Sequence, residues 1–307
     1  MVRLTKMTAQ NELEKAYKYC QTVTKTHAKS FYFAAKFLPK HKQKAVYPIY
    51  AFCRHIDDAI DEIGDGDEAS AIQVVEHWKL GLNVVYKQAE NENKGERTND
   101  EGQHFVLLAW QDLLKTYKIS QNLPLELMKG VVQDTHIKRY ETFEELYVYC
   151  YRVASTVGLM ASEIFGYADE KTLEYAEALG IAMQLTNILR DIKEDAAMDR
   201  IYLPQEDLQK FDVSEKQIFA GECNENFVEL MKFQISRAKD YYATAEKGIG
   251  LLEKDTRFTV LLAARIYKRI LEKIEKQNYN VFLNRAHTTL SQKIFSVPKI
   301  WLEAKKI

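Results

Sequence analysis

Proline and glycine are scarce in this chain, five and twelve among 307 residues. Both punctuate regular structure, so their scarcity removes the turn density that an all-β sandwich or barrel requires. No stretch alternates apolar and polar residues as a half-buried strand would, while Leu, Ala, Glu and Lys recur at helical spacing. These patterns predict an all-α protein. Cysteine is equally sparse: Cys20, Cys53, Cys150 and Cys223 are far apart and form no CxxC pair. That argues against a disulfide framework or a thiolate zinc site and fits a reducing cytoplasm. No apolar run approaches the ~18 residues of a spanning helix, and the opening MVRLTKMTAQNELEK lacks the apolar core of a signal peptide. The expectation is a soluble or peripheral protein. A formal net charge of -1 supplies no basic field for nucleic acid.

Hydrophobic residues make up 46% of the chain, enough for a large core, and one domain over residues 1–307 is expected. Asn11 is a candidate cap for a first helix, interrupted at THAKSF (Thr26 to Phe31) and ended before Pro39. A second helix from His41 contains Pro48, which should kink it, and ends at Gly64 and Gly66. A helix from Glu68 to Lys87 leads into QAENENKGERTNDEGQ, residues 88–103, which reads as a polar surface loop. Helical pattern resumes at His104 and after Pro124. Thr142 with Glu145 predicts a capping box for a helix to Phe165, followed by a helix from Ala168 to Asp195. Ser214 with Gln217 caps a short helix, and long helices start near Asn224 and Phe258. From Arg265 to Ile307 there are ten Lys/Arg against three Glu. A solvated terminal helix is the plainer reading of that segment. With Phe295, Ile300 and Trp301 it could instead rest on an anionic membrane surface.

Two segments carry the chemistry. In QLTNILRDIKEDAAMDRIYLP, Gln184, Asn187, Asp191 and Asp195 fall within ~80° on one helical face. In YPIYAFCRHIDDAIDEI, Tyr50, Arg54, Asp57 and Asp61 fall within ~60°. Carboxylates one turn apart repel by roughly 3 kcal/mol at an effective dielectric near 20, so converged carboxylates need counter-charge. A hard divalent cation supplies it, and Mg²⁺ shares its shell among carboxylates, waters and substrate phosphates. Asn187 adds a neutral oxygen. Arg54, on the Asp57 face, and Arg190, beside Asp191, offer the fork that suits phosphate. The inference is a diphosphate held by Mg²⁺ between two helices, with aromatic and aliphatic walls shielding the carbocation left when it departs.

Plainer readings stand beside this one. A lone aspartate pair is usually a solvated face. Gln184 and Asn187 among Ile181, Met183, Leu185, Ile188 and Leu189 could make buried structural hydrogen bonds instead. The small residues Ala154, Ser155, Gly158 and Ala161 more often mark close helix packing than a substrate tunnel. His27, His55 and His136 read as structural or surface groups, and Glu101 with His104 is an isolated ExxH where a di-iron bundle needs two.

Five blocks in order resemble the squalene/phytoene synthase family of head-to-head prenyl synthases: KSF (Lys29 to Phe31), YAFCRHIDDAID (Tyr50 to Asp61), YCYRVASTVGLM (Tyr149 to Met160), LGIAMQLTNILRDIKEDAAMDRIYLP (Leu179 to Pro204) and AARIY (Ala263 to Tyr267). The resemblance implies an isoprenoid synthase fold with helices around a central hydrophobic cavity. It implies that Asp57, Asp61, Asp191 and Asp195 hold Mg²⁺, or Mn²⁺, with Asn187 as a further ligand, and that Tyr267 joins the catalytic set. His27, Lys29, Ser30, Phe31, Tyr50, Arg54, Tyr149, Val153, Gln184, Arg190 and Tyr267 match substrate-binding positions. Ala28 departs from the pattern, where many relatives carry a second serine. Two prenyl diphosphates, farnesyl or geranylgeranyl, would condense through a cyclopropylcarbinyl diphosphate. Proton loss would give phytoene or dehydrosqualene, and hydride from NADPH would give squalene. The wording of CRHIDD, VGLMASEIFGY and EDAAMDRIYLP is nearest the bacterial phytoene type. Two other readings remain at this stage: another class I enzyme, since Asp57-Asp58-x-x-Asp61 satisfies DDxxD, and a non-catalytic assembly factor.

Overall fold

The structure, a computed structural model, describes residues 2–61, 63, 67–91 and 100–307; the side chains of residues 2–9, 61, 90 and 91 are not described. Among the described residues there is no strand, only isolated bridges pairing Arg139 with Ile201 and Tyr167 with Leu252. The helices fall into two compact units, Met1–His136 with Met160–Gly166 and Ile137–Leu159 with Tyr167–Ile307.

The first unit contains α1 (Val2–His27), α2 (Lys29–Ala35), α3 (Lys40–Asp61), α4 (Glu68–Asn91), α5 (Glu101–Leu114) and α6 (Asn122–Gln133). Its core forms where α3 turns Ile49, Phe52, Ile56 and Ile60 inward, all buried. Phe52 packs against Trp78 and Trp110, with ring centroids 5.6 and 5.0 Å apart. Burying that stripe leaves Tyr50, Arg54 and Asp57 half-buried on another side of the same helix.

The second unit contains α7 (Phe143–Cys150), a π-helical turn over Tyr151–Ser155, the start of α8 (Thr156–Phe165), α9 (Lys171–Ala197), α10 (Gln205–Lys210), α11 (Glu215–Ala220), α12 (Glu225–Glu246), α13 (Lys254–Lys276) and α14 (Leu290–Ala304). Helix α9 is central to it. Its Ile181, Leu185, Ile188, Leu189 and Ile192 share a buried cluster with Leu230, Met231, Ile235 and Tyr242 of α12. The fully buried Tyr242 hydroxyl is satisfied by Thr186 Oγ1 at 3.0 Å. Ser214 and Gln217 form the expected capping box, and Asn224 caps α12 by accepting from Phe227 N at 2.9 Å.

Several boundaries differ from expectation. Asn11 lies inside α1, which begins nine residues earlier at Val2 because the intervening VRLTKMTAQ has no helix breaker. The break falls at Ala28, whose φ of -119° and ψ of 61° separate α1 from α2. Helix α3 runs through Pro48 without ending. Gly64 and Gly66 lie outside the described residues. Of the expected loop 88–103, Gln88 to Asn91 instead continue α4, whose Gln, Ala and Glu are helix formers, Glu101 opens α5, and residues 92–99 lie outside the described residues. Asp100 caps α5, accepting from Gly102 N at 2.7 Å and Gln103 N at 3.1 Å. Thr142 accepts from Glu145 N at 3.3 Å, but Glu145 Oε2 takes Glu141 N, so only half a capping box forms. The helix expected from there to Phe165 is divided by the π turn.

Candidate active site

On α9, Gln184, Asn187, Asp191 and Asp195 form one half-buried polar face, flanked by the buried Leu185, Ile188, Leu189 and Ile192. Asn187 Nδ2 donates to Gln184 Oε1 at 3.2 Å, and Asn187 Oδ1 is buried with no hydrogen-bond partner. An orphaned buried acceptor costs roughly 1–3 kcal/mol, a cost that a bound cation or donor would remove.

Asp191 is held by two arginines. Arg190 donates from Nε to Oδ1 at 2.7 Å and from Nη2 to Oδ2. Arg285, in the segment between α13 and α14, donates from Nε to Oδ1 at 2.7 Å and from Nη2 to Oδ2 at 3.0 Å. Burial alone would raise the Asp191 carboxyl, but these two guanidinium groups outweigh it and hold it below the usual carboxylate range. Tyr267 of α13 is within electrostatic reach of Arg190, Asp191 and Arg285; burial raises its phenol, so it stays protonated. Asp195 and Arg200 line a cavity of about 10 Å³ with Ile188, Ile192 and Tyr202, about the room for one water.

In the first unit, α3 places Tyr50, Arg54 and Asp57 on one half-buried face. Arg54, expected to serve the Asp57 face, forms an ion pair with Asp58, the i+4 residue, although base before acid is the less favourable order along a helix. Arg54 Nε is buried and has no partner, which leaves one donor for a ligand. Asp61 is the last residue of α3, and its side chain lies outside the described residues. Phe31 stacks on Tyr50 with ring centroids 5.9 Å apart, which ties the start of α2 to this face. Ser30 is half-buried there, whereas His27 and Lys29 on either side of the α1/α2 break are exposed.

Tyr149 and Val153 sit where α7 enters the π turn. Tyr149 is buried, stacked on Tyr202 at 5.3 Å and tilted against Tyr140 at 5.6 Å. The expected close packing of small residues is present on this turn. A Cβ built at Gly180 of α9 would lie 2.6 Å from Ser155 N and 2.7 Å from Ser155 Oγ, and Ser155 Oγ donates to Glu177 O at 2.8 Å. A π turn shifts helical register, and here it does so where α9 comes close at Gly180, with Val153 half-buried in it.

Among the described residues, no group of three or more His, Cys, Asp or Glu side chains is gathered as a ready metal cage. The donor set nevertheless fits a hard divalent cation. Asn187, Asp191 and Asp195 offer only oxygens, and the Asn187 Oδ1 is unclaimed. Arg190 and Arg285 meanwhile supply the counter-charge that Asp191 requires. Sequence reasoning missed Arg285, because it lies outside any helix and no periodicity links it to α9.

Residues 24–292 match the squalene/phytoene synthase family profile. The chain is 38% identical over 305 residues to a 15-cis-phytoene synthase of Synechocystis sp., covering 95% of this chain and 86% of that protein. Its fold is similar to the crystal structure of a dehydrosqualene synthase in complex with ligand, with a TM-score of 0.83 and 31% identity over 97% of this chain and 100% of that one. A squalene synthase from Alicyclobacillus acidocaldarius aligns with a TM-score of 0.75 and 25% identity over 88% of this chain and 96% of that one. The chain therefore belongs to the squalene/phytoene synthase family and is a prenyltransferase with the isoprenoid synthase fold.

Proposed function

We propose that residues 1–307 act as one catalytic domain that condenses two prenyl diphosphates head to head. The reaction passes through a cyclopropylcarbinyl diphosphate, releases diphosphate and ends by proton loss at phytoene or dehydrosqualene, in carotenoid biosynthesis. The likeness to phytoene synthases and to a dehydrosqualene synthase supports the reaction class. Among the structural observations, the one that carries the reading is the unclaimed Asn187 oxygen on the same face as Asp191.

Asn187, Asp191 and Asp195 on α9, with Asp57 and Asp61 on α3, would hold Mg²⁺ or Mn²⁺. When bound, the metal neutralises charge on the departing diphosphate. Arg54, through its unclaimed Nε, and Arg190 and Arg285, through guanidinium forks that can form two parallel bonds, would present donors to phosphate oxygens. The Tyr267 phenol, kept protonated by burial, holds its proton at Oη for donation to a phosphate oxygen. Gln184, Tyr50, Ser30, Phe31, His27 and Lys29 orient the substrates. Tyr149 and Val153 present apolar surface that excludes water from the carbocation formed on ionisation.

Termination by hydride is the second reading, favoured by the likeness to a squalene synthase, and only it requires NADPH. The deciding experiment incubates purified protein and Mg²⁺ with labelled farnesyl or geranylgeranyl diphosphate, with and without NADPH, followed by mass analysis of the hydrocarbon. A conjugated triene core formed without NADPH supports the proposal. Squalene formed only with NADPH selects the second reading. A cyclic or linear diphosphate-derived product, or no turnover, overturns both.

A further inference from the structure

Helix α14 is fixed by its inner side. Lys293, Ser296 and Ile300 are buried, and Arg269 Nη1 donates to Ser296 Oγ at 2.5 Å and to Gln292 O at 3.1 Å. Glu303 pairs with Arg265 at 3.4 Å. These contacts decide which residues face outward, and the outcome inverts the usual pattern for a surface helix. Leu290, Ile294, Phe295, Trp301 and Leu302 are all exposed, Phe295 to 82%. Ile300, grouped with them on sequence grounds, instead points inward. Just ahead of the helix, Leu283 is 74% exposed.

The charge on this surface is predominantly positive. Lys299, Lys305 and Lys306 are exposed among the apolar side chains, and Lys305 Nζ lies 3.6 Å from the Trp301 ring centroid. Glu303 is the only acidic residue from Leu290 to Ile307, and it is paired with Arg265, which Glu246 also engages. Along the flank, Arg269, Lys273 and Lys276 of α13 line an open cavity of about 360 Å³ with Glu272 and Gln292. No described helix is long and apolar enough to cross a membrane, so this surface would lie on one.

We propose that α14 is an interfacial helix that seats the protein on an anionic lipid bilayer. The outward Leu290, Ile294, Phe295, Trp301 and Leu302 enter the boundary between headgroups and acyl chains, while the flanking lysines meet headgroup phosphates. The geometry favours a bilayer over a second copy of the chain. A twofold contact would bring this lysine-bearing face against itself, with like charges opposed across an apolar patch. The inference uses α14 and its neighbours alone and does not depend on the reaction.

The test is co-sedimentation with vesicles of equimolar phosphatidylcholine and phosphatidylglycerol, and with vesicles of phosphatidylcholine alone. Wild-type protein is expected to sediment with the anionic vesicles, to be released by salt, and to show a blue shift of tryptophan emission. That shift reports Trp301, because Trp78 and Trp110 are buried at 4% and 0% exposure. Phe295→Ser with Leu302→Ser should weaken binding at least tenfold, and Lys299→Glu with Lys306→Glu should weaken it about fivefold per lysine. Both variants should keep the wild-type melting temperature and the wild-type turnover of detergent-dispersed substrate, which separates loss of seating from loss of the reaction. Wild-type protein left in the supernatant overturns the proposal. So does sedimentation of both variants like wild type, or a lipid-free dimer that the same substitutions convert to monomer.

Discussion

Arg285 reaches Asp191 across 94 positions of sequence, with two parallel hydrogen bonds of 2.7 and 3.0 Å. With Arg190 on the same carboxylate, it gives Asp191 the neutralisation that a divalent cation would otherwise provide. If Asp191 held a cation instead, Arg190 and Arg285 would be available to phosphate oxygens. Arg285→Ala is therefore expected to lower kcat/KM for the prenyl diphosphate by ~10- to 100-fold, the worth of one or two hydrogen bonds to a charged group. Arg285→Lys, which keeps the charge but lacks the fork, should recover part of that loss. Steady-state kinetics of both variants at saturating Mg²⁺ check this; an unchanged kcat/KM in Arg285→Ala removes Arg285 from the site.

On the proposed metal assignment, Asp57→Asn and Asp191→Asn would each exchange a charged oxygen ligand for a neutral one of the same size. Diphosphate release is expected to fall by at least ~10³-fold in either, because the stabilisation lost is of charge on the leaving group. The helical circular dichroism should be retained. For Asp191→Asn, isothermal titration with Mg²⁺ and inorganic diphosphate should also show weakened binding. Full activity in either purified variant would sink the metal assignment.

How much of this was legible in the sequence depends on what holds each residue in place. The α9 and α3 faces follow from helical periodicity alone, so the half-buried faces carrying Asn187, Asp191 and Asp195, and Tyr50 and Asp57, were legible. Periodicity is coarser than hydrogen bonding, however. It placed Arg54 on the Asp57 face but did not reveal that Asp58, one residue on, takes an ion pair from it. It carried no information on Arg285, whose approach to α9 depends on where α13 ends and on the irregular segment after it. It misjudged residues 88–91 because Gln, Glu and Asn without apolar neighbours look like loop yet extend α4 to Asn91. The π turn was equally hidden. It lies where α9 comes close at Gly180, a tertiary contact that no local pattern of YCYRVAST announces.

Gly180→Ala tests that contact. The added methyl would lie 2.6 Å from Ser155 N, and backbone cannot swing aside as a flexible side chain would. Overpacking of this kind costs ~1–3 kcal/mol, set against the gain of ~1 kcal/mol that alanine usually brings to a helix interior. Net destabilisation is expected, read as a lowered midpoint in urea. If α9 and the π turn move apart to accommodate the methyl, Val153 shifts and kcat falls as well. A midpoint raised by the substitution would show that the close approach is absent in solution.

His55 of α3 should make the stability of the first unit depend on pH. Its Nε2 lies 2.8 Å from Tyr19 Oη, and its ring packs 5.9 Å from that of Trp78. Burial lowers its pKa from the ordinary 6.5; Asp100 and Asp58 pull it up, and Arg54 and His27 push it further down. In the folded chain the imidazole therefore takes a proton less readily than in the unfolded chain. The resulting stability is fully present above pH 6.5 and is lost as pH falls from 6.5 through the folded value. The melting temperature should therefore drop between about pH 7.5 and 5.5, and His55→Gln, which cannot titrate, should show a shallower drop across the same window. Equal slopes in the two proteins would assign the pH dependence to other groups.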